Sequence, residues 1–206
     1  PAYKWLATVT CLVGIMTMTL GATTVNVAFP AIMGTFGIGR DQAQLISTGY
    51  FAAQTAGMLL SAWLVLSFGE RRSFTLAVLA FLVGSAMSGL AQSSESLLVG
   101  RILQGLSAGI VQPLGMAVTF KVFPRDQKGF AMGIFAMGNV LAPALGPTLG
   151  GVAIDLFSWR YIFLLTLPTA FLALIVGNIF LPTQPMPKKI PRFDFLGFGM
   201  LCVSLS

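Results

Sequence analysis

The sequence predicts an all-α membrane protein: six spanning helices and the start of a seventh. Three observations carry that reading. First, the 206 residues are 56% hydrophobic and 9% charged, with a mean hydropathy of +0.87. A water-soluble domain of this length could not cover so much apolar surface. Second, the apolar residues fall in runs long enough to cross a hydrocarbon core of roughly 30 Å as helices. Third, charged residues collect in short breaks between the runs, which is where topology signals lie.

In chain order, the first span is expected over residues 5–29, with Lys4 before it and Pro30 closing it. Gly34, Gly37, Gly39, Arg40 and Asp41 mark the connection to a second span over residues 43–66. The turn 67–73, with Gly69, Arg71 and Arg72, leads into span three over residues 74–91. Residues 92–95 break it from span four, residues 96–120, and a polar loop over residues 123–129 precedes span five, residues 130–154. Span six covers residues 161–181, with Pro168 inside. The domain reading is therefore a bundle over residues 1–181, a proline-punctuated linker over residues 182–194 and the start of a seventh span over residues 195–206. With no initial Met and a last run that stops mid-helix, the chain reads as part of a longer polytopic protein.

Lys4, Arg71, Arg72, Lys121, Arg125, Lys128, Lys188, Lys189 and Arg192 fall on one side of that topology, and Arg40 and Arg160 on the other. Positive residues of short loops stay in the cytoplasm, so the N-terminus and the linker are expected there. The net charge of +6 is topology, and it argues against nucleic acid as a partner. Cys11 and Cys202 lie in separate apolar segments and read as small packing residues.

Arg101 is the one charge set inside an apolar run. A charge in a spanning helix costs roughly 2.5–3.5 kcal/mol on insertion scales. Two readings are open: a side chain that snorkels to the near interface, or one that faces a protein-lined interior. Gln104, Ala108 and Gln112 follow at steps of three and four, on the same helix face. That polar and small-residue stripe favours the second reading, with the helix as one wall of a cavity. Thr23 and Asn26 in span one, Tyr50 and Gln54 one turn apart in span two, and Asn139 in span five are further candidate pathway liners. For each liner, packing or an ordinary interhelical hydrogen bond is the competing explanation.

Span five places Gly138, Ala142, Gly146 and Gly150 at steps of four, with Pro143 and Pro147 between them and Gly151 closing the run. Small residues at i and i+4 let another backbone approach closely. Each proline removes a backbone donor, which a bilayer tolerates where neighbours satisfy the freed carbonyl. Such a helix suits a pivot or seal between two moving bundles. Residues 49–52 (Gly-Tyr-Phe-Ala) and 133–136 (Gly-Ile-Phe-Ala) fall at equivalent places in spans two and five, a faint trace of two inverted three-helix repeats.

The stretch from Ala142 to Gly151 resembles the antiporter motif of the major facilitator superfamily. Leu97 to Arg101 with Gln104, Gly105 and Ala108 resembles that superfamily's fourth-span motif, and residues 159–163 resemble its sixth-span start. Thr23, Val25 to Ala28 and Pro30 are similar to the first-span motif of its fourteen-span drug:proton antiporter branch, the EmrB/QacA-like transporters. Residues 193–197 resemble the lead into that branch's extra pair of spans. The resemblance implies a six-helix N-terminal bundle of two inverted three-helix repeats. Two positions depart from the branch. Gly21 stands where it has an aspartate, and residues 62–66 replace Gly-x-Leu-Ala-Asp, leaving Leu66 for the carboxylate while Gly69, Arg71 and Arg72 keep the basic part. Glu70 lies one turn from Leu66 and is a candidate substitute for that conformational latch. With no carboxylate inside a span, proton coupling would use the rest of the protein, or Asp41 or Asp155 near the outer face, or be absent.

The function expected is secondary export of amphipathic or hydrophobic compounds by alternating access, as antiport against protons, in the inner membrane of a bacterium. The resemblance also implies a periplasmic adaptor as a partner. The alternatives are an importer or uniporter of a small metabolite and, in another class, a non-transporting membrane scaffold. An intramembrane enzyme is disfavoured, since the chain has no His and no converging nucleophile, base or metal set. No cofactor or metal is expected.

Overall fold

The computed structural model describes residues 2–182 and Gly199. Linker residues 183–194 and the seventh apolar run, with Lys188, Lys189, Arg192 and Cys202, lie outside the described residues, Gly199 apart. Among the described residues all regular structure is helical: α1 (Ala2–Phe36), α2 (Arg40–Phe68), α3 (Glu70–Gly89), α4 (Ser94–Val122), α5 (Lys128–Leu156) and α6 (Arg160–Phe180). A single 3-10 turn, Arg125–Gln127, precedes α5. Each of the six is long and apolar enough to cross a membrane.

The chain's punctuation explains most boundaries. Gly69 sits at φ 82° and ψ 167°, a backbone region essentially confined to glycine, so α2 and α3 meet there at a sharp corner. Gly37, at φ 63°, makes the corresponding break after α1. Helix α4 opens with a reciprocal cap: the Ser96 N–H donates to Ser93 Oγ at 3.2 Å, and the Ser93 N–H donates to Ser96 Oγ at 3.3 Å.

One boundary differs from the sequence expectation. Helix α1 runs through Pro30 and Gly34 to Phe36. The added turns are anchored by tertiary contacts. Ile32 is fully buried, the Trp159 indole donates to Thr35 Oγ1 at 3.0 Å, and the Trp159 and Phe36 rings meet edge to face at 5.6 Å. Proline's local preference loses to that packing.

The packing has the symmetry of a repeat. Helix α2 packs on α4 as α5 packs on α1, and α3 packs on α4 as α6 packs on α1. The α1–α4 and α3–α6 contacts are their own counterparts when residues of α1–α3 are exchanged for α4–α6. Three alternating helices reverse direction, so the two units are inverted. The four-residue match between α2 and α5 is not what carries this symmetry, since Phe51 is exposed and Phe135 buried.

The central helices are α1 and α4. The α3–α6 pair backs them on one side, and α2 and α5 flank them. Lys4, Arg71, Arg72, Lys121, Arg125 and Lys128 gather at one end of the bundle, where Lys4 Nζ donates to Gln127 Oε1 and Trp5 meets Phe123 edge to face. Arg40 and Arg160 lie at the opposite end, where Arg160 Nη2 donates to the Ala91 carbonyl at 3.0 Å. Cys11 is a buried free thiol in the core beside Ile15 and Met18.

Candidate functional site: a buried guanidinium and two glycine seams

Arg101 lies about 10 Å along α4 from its first residue, by the rise of seven residues. It is 0% exposed. Its Nη1 donates to the Gly21 carbonyl of α1 and to Gln104 Oε1, both at 2.9 Å. Gln104 Nε2 donates to Ser85 Oγ of α3 at 2.7 Å, and Thr166 of α6 donates to the same oxygen at 3.3 Å. The guanidinium carbon stands 4.2 Å over the Tyr50 ring of α2, and the Tyr50 hydroxyl donates to the Met18 carbonyl at 3.2 Å. One cation therefore connects five helices through hydrogen bonds and a cation–π contact. Its Nε and Nη2 have no hydrogen-bond partner. Gly21 has no side chain to offer and supplies only its backbone carbonyl.

This placement excludes the snorkelling reading, and it also revises the cavity reading. Arg101, Gln104 and Tyr50 have essentially no accessible surface, because α4 is the centre of the bundle and is covered by α1, α2 and α3. The stripe is a core network, and α4 is not the wall of an open cavity in this conformation. Only farther along α4 does the stripe emerge. Gln112 is half-buried, and its Oε1 accepts from Gln54 Nε2 of α2 at 3.4 Å.

The other candidates are more accessible. Asn26 is exposed and accepts from Ser47 Oγ at 3.5 Å. Thr23 and Asn139 are half-buried, and each bonds back to its own helix: Thr23 to the Thr19 and Leu20 carbonyls, Asn139 to the Phe135 carbonyl. Asn26, Gln54, Gln112, Thr23 and Asn139 all belong to α1, α2, α4 and α5, and α3 and α6 contribute none of them. A cavity of about 400 Å³ opens between α5 and α6 against α1, lined by Leu20, Thr24, Gly150, Thr166 and neighbours. None of the eight polar candidates lines it.

The small residues of α5 form one face of a seam with α1. Ala142 is fully buried. A Cβ added at Gly138 would lie 2.7 Å from Leu12 Cδ2, and one at Gly146 would collide with the Thr23 hydroxyl. At Gly150 it would reach 3.2 Å from the Thr24 carbonyl oxygen. Pro147 points away, exposed, and a Cβ added at Gly151 would meet nothing within 4 Å. A second seam, unread in the sequence, mirrors the first. Added Cβ atoms at Gly105 and Gly109 of α4 would collide with the Tyr50 and Gln54 carbonyls of α2, and one at Gly57 with the Leu106 carbonyl. The α2–α4 pair meets backbone to backbone, whereas the α5 glycines receive the Leu12 and Thr23 side chains and, at Gly150, the Thr24 backbone.

At the basic end, Gly69 is buried and fixes the corner, Arg71 is half-buried and Arg72 exposed. Leu66 is 64% exposed, whereas Glu70 is 6% exposed and its Oε1 is 2.9 Å from Lys121 Nζ on α4. Glu70 thus points into the bundle and occupies a different place from Leu66.

The sequence profile of the Major Facilitator Superfamily matches residues 11–200. An uncharacterised MFS-type transporter, YhcA of Bacillus subtilis, is 35% identical over 89% of this chain and 34% of its own. The riboflavin transporter RibZ of Clostridioides difficile is 30% identical over 94% of this chain and 42% of its own. MdtD of Yersinia pestis, named as a multidrug resistance protein, is 30% identical over 94% of this chain and 41% of its own. The chain thus spans less than half the length of these relatives. Among solved structures, the proton:xylose symporter XylE superposes with a TM-score of 0.79 at 15% identity, over 88% of this chain and 45% of that one. A peptide transporter, POT, superposes with a TM-score of 0.77 at 19% identity, over 100% and 45% respectively. These likenesses are of fold.

Proposed function

The chain belongs to the major facilitator superfamily, and from that premise we propose that it is the N-terminal bundle of a secondary transporter that exports amphipathic or hydrophobic compounds by alternating access, with protons moving the other way. The observation that carries this reading is the α5–α1 seam. Its glycine row presses on the Thr23 side chain and the Thr24 backbone while Pro143 and Pro147 interrupt the ladder of the same helix. A sliding or pivoting contact needs such a flat surface, and a helix with two missing donors bends at low cost.

The likeness to MdtD and the motif resemblance support export, and by the same resemblance the protein belongs in the EmrB/QacA-like branch. The pathway would run along the face shared by α1, α2, α4 and α5, past Asn26, Gln54, Gln112, Thr23 and Asn139. Arg101, Gln104 and Tyr50 hold those helices in register behind it. Gly69, Arg71 and Arg72 make the turn that joins α2 to α3 on the cytoplasmic side. The basic end then faces the cytoplasm of a bacterium, with a linker and a seventh span beyond residue 182 and a periplasmic adaptor as a further partner.

A second reading, carriage of one metabolite, is favoured by the riboflavin transporter at equal identity. The full-length protein in proteoliposomes separates them. Export predicts ethidium movement that depends on an imposed proton gradient. Movement of riboflavin alone supports the metabolite carrier, and movement of neither supports a scaffold.

A further inference from the structure

Five carboxylates fall among the described residues: Asp41, Glu70, Glu95, Asp126 and Asp155. Four are exposed, and Glu70 alone is buried. It is the first residue of α3, yet its side chain is 8% exposed and reaches Lys121 near the end of α4, Nζ to Oε1 at 2.9 Å. The other oxygen, Oε2, has no hydrogen-bond partner. Ser67 and Ser73, three positions to either side, are buried and their hydroxyls are also unpartnered.

A purely structural clamp between α3 and α4 is the plain alternative. Such a pair is stable when the lone pairs of both carboxylate oxygens are satisfied, because a bare buried oxygen keeps its desolvation cost. Here one oxygen is bonded and one is not. The Lys121 side chain is 49% exposed, so the pair is open to its surroundings at the basic end.

The charged and titratable groups around it are few. Lys121 comes from α4, and the buried Cys11 thiol of α1 lies within electrostatic reach. Arg71 and Arg72 follow on α3 itself. The nearby cations Lys4 and Lys128 are engaged with Gln127 and the Phe120 ring. Helix α2 carries charge only at Arg40 and Asp41, and α6 carries Arg160 and Tyr161, all at the far end.

We propose that Glu70 is a proton-binding site of the transport cycle, which deepens the export reading above and rests on it for the coupling. A proton from a hydronium ion bonds to Oε2, a water molecule leaves, and the carboxylate becomes a neutral acid. The pair passes from zero net charge to that of the ammonium alone. Lys121 then loses its counter-ion and turns to solvent, which loosens α3 from α4 at the cytoplasmic end. Neutralising Glu70 first lowers the cost of parting the pair, since no bare carboxylate is left buried.

The test uses full-length protein in liposomes and acid-minus-neutral infrared difference spectra, which need no substrate. Wild type should show the carbonyl stretch of a protonated carboxylic acid that is lost in Glu70→Gln and kept in Asp126→Asn and Asp155→Asn. Gradient-driven ethidium uptake should fall about tenfold in Glu70→Gln, while an unchanged gel-filtration profile in detergent reports that the variant is folded. An unchanged band in Glu70→Gln, or gradient-driven uptake close to wild type, overturns the assignment. If wild type moves no ethidium, the export reading fails by itself and the spectra alone decide Glu70: loss of the band upholds it and retention refutes it.

Discussion

The Arg101 guanidinium donates to the Gly21 carbonyl oxygen at 2.9 Å, eighty positions earlier in the chain. Two facts meet in that bond. A permanent cation is held in the middle of an apolar bundle, and Gly21 offers it only a backbone oxygen. An added Cβ at Gly21 would make ordinary contacts, 3.5 Å from Phe81 Cζ and 3.8 Å from Thr166 Cγ2. There is room for the start of a side chain in the same network.

Gly21→Asp should therefore be tolerated and should stabilise the bundle, because a carboxylate beside Arg101 supplies the counter-ion its surroundings lack. The thermal midpoint of full-length Gly21→Asp in detergent should rise, and the gain should vanish in the double variant with Arg101→Met. An equal gain in the double variant would mean that the aspartate acts elsewhere.

Arg101→Met tests the cation with less change in bulk than alanine would make. Membrane insertion should be unaffected or improved, since a charge costing roughly 2.5–3.5 kcal/mol at a span centre is removed. Transport should be lost, because Gln104, Tyr50 and the Gly21 carbonyl lose the group that holds them together. Arg101→Lys should not restore it, since an ammonium cannot stack flat on Tyr50 while forking to two acceptors. Export of ethidium by a well-inserted Arg101→Lys protein at wild-type rate would remove the guanidinium geometry from the account.

How much of this was legible in the sequence depends on what kind of fact is asked for. That Arg101 turns inward followed from a charge in an apolar run with Gln104 one turn on. That it is sealed did not, because periodicity gives the face of a helix but not what covers it. The glycine row of α5 announced itself by four small residues in register. The α2–α4 seam was hidden, since its glycines are shared between two helices, Gly57 on one and Gly105 and Gly109 on the other. The end of α1 was misplaced at Pro30 because the anchor, Trp159, lies far away in sequence. Glu70 and Leu66 sit a turn apart, and only the corner at Gly69 sends one inward and leaves the other exposed.

The two seams predict a sharp contrast among glycine-to-alanine changes. Gly105→Ala and Gly109→Ala drive a methyl into backbone carbonyls of α2, and overpacking of this kind costs roughly 1–3 kcal/mol or more. Gly133→Ala and Gly151→Ala meet nothing within 4 Å and should gain slightly from helix propensity. Thermal midpoints of the four variants, measured side by side, should fall into two separate groups. Destabilisation by Gly151→Ala as large as that by Gly109→Ala would disprove the seam geometry.

Gly69 makes a stricter demand, because its backbone angles rather than its neighbours exclude a side chain. With φ 82° and ψ 167°, any L-residue there carries strain of about 1–3 kcal/mol. The strain sits beside Glu70, so relaxing it would swing the start of α3 and pull the carboxylate from Lys121. Gly69→Ala should accordingly lower stability and, in addition, weaken the Glu70–Lys121 pair. A double-mutant cycle between positions 70 and 121, repeated on the Gly69→Ala background, reads the second effect: the coupling measured in wild type should shrink toward zero. Coupling that survives unchanged would show that α3 keeps its course without the glycine, and that Glu70 is held by α4 alone.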